Sequence, residues 1–68
     1  MNFGECLERA IEEQELNHGQ AAEILGVSRQ RVSAMTNQRH CNSKTIKKIA
    51  NALGYSFLEF ASLGDDDA

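Results

Sequence analysis

The 68 residues include no proline and few runs of the β-branched and aromatic residues that favour strands. Glu, Ala, Leu and Gln, which favour helices, are frequent instead. A chain of this length has no room for a second hydrophobic core. We therefore expect one all-α domain, a compact bundle of about five short helices.

Cysteine is also scarce, and its placement argues against several kinds of site. Cys6 and Cys41 lie too far apart in sequence for a CxxC redox motif or a dense disulfide framework. Together with His18 and His40 they lack the paired spacing of a zinc site. No Ser/His/Asp arrangement and no glycine-rich phosphate loop is recognisable. We therefore expect reduced thiols, no metal, no cofactor and no enzymatic activity.

Long apolar runs are missing as well. No stretch approaches the ~18 apolar residues of a membrane-spanning helix, and no basic-then-apolar leader is present. These absences predict a cytoplasmic protein with no membrane partner.

Charge is present, but it is distributed unevenly. The net charge is −3, yet residues 18–48 sum to +5, whereas residues 1–17 and 49–68 sum to −4 each. Six of the seven cationic side chains therefore lie in the middle segment: Arg29, Arg31, Arg39, Lys44, Lys47 and Lys48. Because local charge decides where a polyanion binds, this segment is the candidate for contact with nucleic acid.

Residues 18–37 of that segment have the pattern of two short helices joined by a turn. Gly26 can adopt the left-handed conformation that ends a helix over residues 18–25. Val27 is predicted to enter the core, and the Ser28 hydroxyl is predicted to cap a second helix over residues 29–35. Two helices at this spacing are typical of a helix-turn-helix that reads the DNA major groove.

The second of these helices can be laid out at 100° per residue. If Val32 and Met35 face the core, the opposite side carries Gln30, Ser33, Ala34 and Asn37. Arg29 and Arg31 then lie on the two flanks of this outward face. Short polar groups between long cations suit a groove, because arginine and glutamine can bond base edges while cations reach the phosphates.

The flanking segments predict three more helices. Asn2 with Glu5, and Ser56 with Glu59, have the spacing of capping boxes for a first and a fifth helix. Asn42 or Ser43 caps a fourth helix, which ends at Gly54. The predicted buried positions are Phe3, Leu7, Ala10 and Ile11 in the first helix and Ile46, Ile49, Ala50 and Leu53 in the fourth. Residues 64–68 are expected to form a short acidic, disordered tail after a domain spanning residues 1–63.

From residue 16 to residue 59 the chain resembles the lambda-repressor/Cro-type (XRE-type) helix-turn-helix family. The shared positions are Ala22, residues 25–29, Val32, Ser33, Asn37, Ile49, Ala50 and residues 52–54. The chain differs from the common family pattern at His18, Ala21 and Gln38, where glutamine, leucine and glycine are usual. The resemblance implies a dimeric protein that binds operator DNA and controls transcription.

The resemblance also assigns site residues. It implies base contacts from Arg29, Gln30, Ser33 and Ala34, and backbone contacts from His18, Asn37 and Arg39. To the backbone set we add Ser28, Arg31 and Lys44; Lys44 lies near a helix N-terminus, which itself attracts phosphate. Lys47 and Lys48 can equally be a solvated face. Phe57, Phe60 and Leu63 of the fifth helix are the candidate dimer interface, because aromatic side chains are enriched in such surfaces.

The sequence thus predicts a homodimeric repressor of phage or mobile-element type that binds a palindromic double-stranded operator without a small-molecule ligand. Two alternatives remain open. One is an antitoxin-like protein that binds a protein partner as well as DNA. The other is an accessory excision or replication protein of a mobile element.

Overall fold

The computed structural model describes residues 2–64 and builds them as five helices. In chain order these are α1 (Phe3–Glu13), α2 (His18–Leu25), α3 (Arg29–Thr36), α4 (Ser43–Ala52) and α5 (Phe57–Leu63). No strand occurs among these residues, so the predicted all-α class is confirmed. Within the same range no helix is long and apolar enough to span a membrane. The acidic tail was predicted for residues 64–68, and all of it after Gly64 lies outside the described residues.

Every helix begins with the same device. A side-chain oxygen of the residue before the helix accepts the backbone N–H three positions later, which satisfies one otherwise unbonded amide. The five capping residues are Asn2, Asn17, Ser28, Asn42 and Ser56. Asn2, Ser28 and Ser56 were predicted, and Asn42 was one of two alternatives for the fourth helix. Asn17 was assigned to a loop, although its spacing to Gln20 completes a reciprocal capping box.

The core is formed by the apolar faces that the sequence predicted. Its fully or nearly fully buried members are Phe3, Cys6, Leu7, Ala10, Ile11, Ala21, Ala22, Val32, Met35, Ile46, Ile49, Ala50, Leu53 and Phe60. The Phe60 ring packs between two others, with centroids 6.2 Å from that of Phe3 and 6.4 Å from that of Tyr55. The contact with Phe3 attaches α5 to the start of α1, and Tyr55 lies in the segment between α4 and α5.

A tight seam joins the start of α1 to the end of α3. The amides of Phe3 and Gly4, in the first turn of α1, donate to the carbonyls of Arg39 and Gln38 at 3.0 and 2.7 Å. At Gly4 the backbones are so close that a Cβ would overlap the carbonyl oxygen of Thr36. The first turn of α1 therefore fixes the position of the loop after α3.

One core prediction is wrong. The Val27 side chain is 38% exposed and does not enter the core. Its backbone amide bonds the carbonyl of Ala22, and Gly26 takes the left-handed conformation, φ 72°. These constraints carry the chain around the end of α2 and leave Val27 beside Ile24 at the rim of a surface groove.

Candidate nucleic-acid interface

The two middle helices adopt the predicted helix-turn-helix, and this arrangement presents α3 to solvent. Gly26 ends α2, and the Ser28 hydroxyl caps α3 by accepting the amide of Arg31 at 3.0 Å. Only Val32 and Met35 of the eight residues in α3 are buried. They anchor the helix on the bundle, so that its remaining side chains are available on the surface.

The predicted reading face is largely open. Arg29, Gln30 and Ala34 are exposed. Neither Arg29 nor Gln30 forms a side-chain hydrogen bond or ion pair within residues 2–64. Long polar side chains without internal partners can turn toward a base edge without breaking a bond in the protein.

Ser33 differs from its neighbours on this face. It is half-buried, and its hydroxyl oxygen lies 2.9 Å from Nδ1 of His18 at the start of α2. The other ring nitrogen, Nε2, lies 3.2 Å from a carboxylate oxygen of Glu8 in α1. Ser33 was predicted to point away from the bundle, and the structure instead turns its hydroxyl toward α2. His18, a predicted phosphate contact, is held from both sides by protein groups.

No Ser/His/Asp arrangement was recognisable in the sequence, whereas these contacts join a serine, a histidine and a glutamate in the fold. Glu8, His18 and Ser33 are far apart in sequence, so no local sequence motif predicts that they meet. Nucleophilic catalysis needs, in addition, free donors for a developing oxyanion. Ser33 lies in the interior of α3, where the backbone amides are used by the helix. The helix around Ser33 therefore offers no free backbone donor to an oxyanion.

The cations of the middle segment lie on α3, on α4 and in the loop that joins these helices. Arg29, Arg31, Arg39, Lys44, Lys47 and Lys48 are all exposed, and none forms an ion pair within the described part of the chain. Lys44 lies in the first turn of α4, as predicted. Asn37 ends α3, and its side-chain amide donates to the carbonyl of Ser33 at 3.1 Å. Exposed positive charge is thus present on α3, on α4 and in the loop between them.

The four residues weighed as a metal site are not brought together. Cys6 is buried, with its sulfur 3.6 Å from the carbonyl oxygen of Ala61, and Cys41 is half-buried elsewhere. Burial raises the pKa of the Cys6 thiol above its ordinary value of 9.0. No group of three potential ligands from His, Cys, Asp and Glu occurs among residues 2–64.

Two apolar features lie outside the core. A groove of about 340 Å³ is lined by residues of α2, α3 and α4, and Ile24, 45% exposed, lines it with Val27. On α5, Leu58 is 79% exposed. Phe60, by contrast, is fully buried, so its ring is unavailable for an intermolecular contact in this conformation, while Phe57 and Leu63 are half-buried. Of the predicted dimer residues, only Phe57 and Leu63 therefore retain some exposed surface.

Comparison with known families gives one match. A family model described as helix-turn-helix matches residues 7–60, which is most of the chain and includes α2, α3 and α4 entirely. No curated protein and no solved structure is similar enough to this chain to count as a match. The matched residues include Gly26 and the turn around it, and the match confirms the resemblance drawn from the sequence.

Proposed function

The chain belongs to the helix-turn-helix family of XRE-type DNA-binding transcriptional regulators, and from this premise we propose that it is a homodimeric repressor. Two copies of α3, about 34 Å apart, enter successive major grooves of an inverted-repeat operator. Occupancy of the operator excludes RNA polymerase from the promoter. We further propose that the protein represses its own gene, that it belongs to a phage or mobile element, and that it is located at the bacterial nucleoid.

The observation that carries this proposal is the open face of α3. Arg29 and Gln30 are in its first turn, exposed and without partners among residues 2–64. Arginine bonds guanine, and glutamine bonds adenine, through two parallel hydrogen bonds each. The methyl group of Ala34 suits contact with a thymine methyl group. We assign base reading to these three residues and to Ser33.

Phosphate contacts come from the rim of the same surface. Ser28 uses an oxygen lone pair for its cap, so its hydroxyl proton is free to donate to a phosphate. Arg31 and Arg39 reach outward on either side, and Lys44 adds its charge to the N-terminus of α4. Asn37 can donate from the end of α3. His18, which already bonds Glu8 and Ser33, is the weakest member of the predicted backbone set.

A random DNA library tests the proposal directly. The sites that the purified protein selects should be inverted repeats whose half-sites are centred about one helical turn apart. Binding to the selected site should weaken with salt by about 0.9 log units per log unit of salt for each phosphate neutralised. Selection of no consensus, or a binding constant that does not change with salt, would contradict the DNA-binding function.

The dimer has its own test. We propose that Leu58 and Phe57 of α5 meet their counterparts in a second copy, because Leu58 is the most exposed large apolar side chain among residues 2–64. Leu58→Asp should convert a dimer to a monomer in sedimentation equilibrium. Ile24→Asp is the matched control, since it places the same charge on an exposed apolar site of α2. Dimerisation lost with Ile24→Asp and retained with Leu58→Asp would refute this interface.

A second candidate, an antitoxin-like protein, draws support from the groove at Ile24 and Val27. It predicts a stable complex between this protein and the purified product of a neighbouring gene, weakened by Ile24→Asp. An excision or replication accessory protein would be indicated if the selected sites map to recombination ends or an origin of replication. Sites that overlap promoters favour the repressor.

A further inference from the structure

The Glu8–His18–Ser33 chain joins three helices and ends on the DNA-reading face. His18 is in the first turn of α2, and its ring bonds α1 through Nε2 and α3 through Nδ1. The ring is only partly exposed, with a side-chain accessibility of 29%. Neither Arg29 nor Gln30, the other polar readers, has such a connection within the described residues.

The protons in this chain can be counted. A carboxylate has no proton to donate, so Nε2 must carry the hydrogen of its contact with Glu8. In the neutral ring Nδ1 then has a lone pair and accepts. The partner of Nδ1 is therefore the donor, and the single hydroxyl proton of Ser33 is committed to His18. What remain on the Ser33 oxygen are its two lone pairs, which can only accept.

We propose that His18 and Glu8 fix Ser33 as a hydrogen-bond acceptor toward DNA, which makes it specific for an amino group in the major groove. The groups of that kind are N6 of adenine and N4 of cytosine. This inference rests on the proposed function, because it deepens how one reader of that site recognises its base. His18 and Glu8 are positioning residues in this scheme and touch no base themselves.

The helix around Ser33 supports this assignment. A serine inside a helix can donate to the carbonyl one turn earlier. Here the hydroxyl is turned toward α2 instead, at a hydrogen-bonding distance of 2.9 Å from the ring. The backbone carbonyl of Ser33 is itself occupied by the Thr36 hydroxyl and the side-chain amide of Asn37, at 2.7 and 3.1 Å. The hydrogen bond to His18 holds the Ser33 hydroxyl oxygen in one orientation before DNA arrives.

The first experiment reads the proton positions without DNA. Long-range ¹H–¹⁵N correlation spectra of the ¹⁵N-labelled protein distinguish the two neutral tautomers from the charged ring. At about pH 8 we expect the proton of His18 on Nε2 and an unprotonated Nδ1. Glu8→Ala should mix the tautomers, and Glu12→Ala, which removes another exposed carboxylate of α1, should not. A proton on Nδ1 in the unmodified protein would overturn the proposal.

The second experiment removes single atoms from the selected operator. Purine in place of adenine, or 2-pyrimidinone in place of cytosine, deletes the amino group, whereas a 7-deazapurine deletes an acceptor. At the base pair facing Ser33, loss of the amino group should weaken binding by about 2- to 10-fold, the range of one neutral hydrogen bond. The same substitution should cost nothing in Ser33→Ala, and the 7-deaza substitution should cost nothing in either protein.

The positioning role is read from the same measurement. His18→Ala and Glu8→Ala should both reduce the penalty for the missing amino group. The base preferences set by Arg29 and Gln30 should remain intact in both variants. Glu12→Ala should retain the full penalty. An unmodified protein that selects a consensus but shows the 7-deaza penalty, or none, at the Ser33 position refutes this inference alone. Failure to select any consensus would refute the proposed function itself.

Discussion

Helices α1 and α3 differ in how many of their residues are buried and in the charge of their exposed sides. Six of the eleven residues of α1 are buried, whereas only two of the eight in α3 are. The exposed side of α1 carries glutamates, and that of α3 carries arginines and polar groups. This difference indicates that α1 contributes mainly to the free energy of folding, while most of the surface of α3 is available for binding. Substitutions in the two helices should therefore separate stability from affinity.

The largest expected effect is on stability, at the seam where the two helices meet. Gly4→Ala should lower the free energy of unfolding by about 2–4 kcal/mol, because the new methyl group overlaps the carbonyl of Thr36. For a domain of this size each kcal/mol is worth about 4–8 °C in melting temperature. Thermal unfolding followed by circular dichroism measures the loss.

Gly19→Ala is the control for that substitution. Gly19 is also in the first turn of a helix, but its nearest neighbour would be the Asn17 side chain, at 3.3 Å, and not a backbone carbonyl. Its melting temperature should change little. An unchanged melting temperature for Gly4→Ala would show that the seam tolerates a side chain and would break the contrast between the two helices.

The next effect is on affinity, at Arg29. Arg29→Ala should weaken operator binding by on the order of 10- to 100-fold, equivalent to about 1–3 kcal/mol for a bidentate base contact. The melting temperature should remain near that of the unmodified protein, because Arg29 has no bond to lose within residues 2–64. Titration of labelled operator by fluorescence anisotropy gives the affinity.

Arg29→Lys sharpens the same test. Lysine keeps the charge but not the planar fork that bonds guanine twice. It should preserve binding to random DNA and lose most of the preference for the operator. Retained preference with lysine would assign Arg29 to a phosphate.

A smaller change is expected at Gln30. Gln30→Ala should relax the preference at one base pair in each half-site and leave the other positions unchanged, because a paired amide contact reads one adenine. Competition between operators that differ at single positions measures this. Gln38→Ala, an exposed glutamine outside α3, should leave all positions unchanged. A uniform loss of affinity in Gln30→Ala would argue for a backbone contact.

The smallest effect concerns the buried thiol of α1. Burial raises the pKa of Cys6 in the folded protein above the 9.0 of the unfolded chain. Its contribution to stability is therefore complete below that pH and is lost as the pH rises through the folded pKa. Unfolding by urea at about pH 8 and about pH 10.5 should show this decline, and Cys6→Ala should reduce it. Cys41→Ala, at a half-buried site, should decline as the unmodified protein does.

The fold was predictable from the sequence because its main signals are local. Helix faces repeat every three to four residues, and a cap such as Ser28 acts three residues from its own position. Gly26 likewise indicates the turn, because it lies directly after the helix that it ends. The exposed positions of Arg29 and Gln30 followed from the same periodicity.

The parts that sequence reasoning missed depend on contacts between distant segments. Gly4 has no local pattern that reveals a neighbouring carbonyl at the end of α3. Ser33 was assigned to the outward face by angle alone, and only the packing of α2 against α3 brings the His18 ring to its hydroxyl. Val27 was placed inside because it is apolar, whereas the path around Gly26 leaves it at the surface.

The chain from Glu8 to Ser33 also constrains how operator preference can drift among descendants of this protein. Arg29 and Gln30 can each be exchanged in one mutational step, since neither side chain has a partner among residues 2–64 that must change with it. Ser33 bonds the imidazole of His18 in α2, which in turn bonds the carboxylate of Glu8 in α1. A new side chain at position 33 therefore removes the partner of His18. Lineages that alter this position should therefore alter His18 and Glu8 soon afterwards, and the three positions should be inherited as a set.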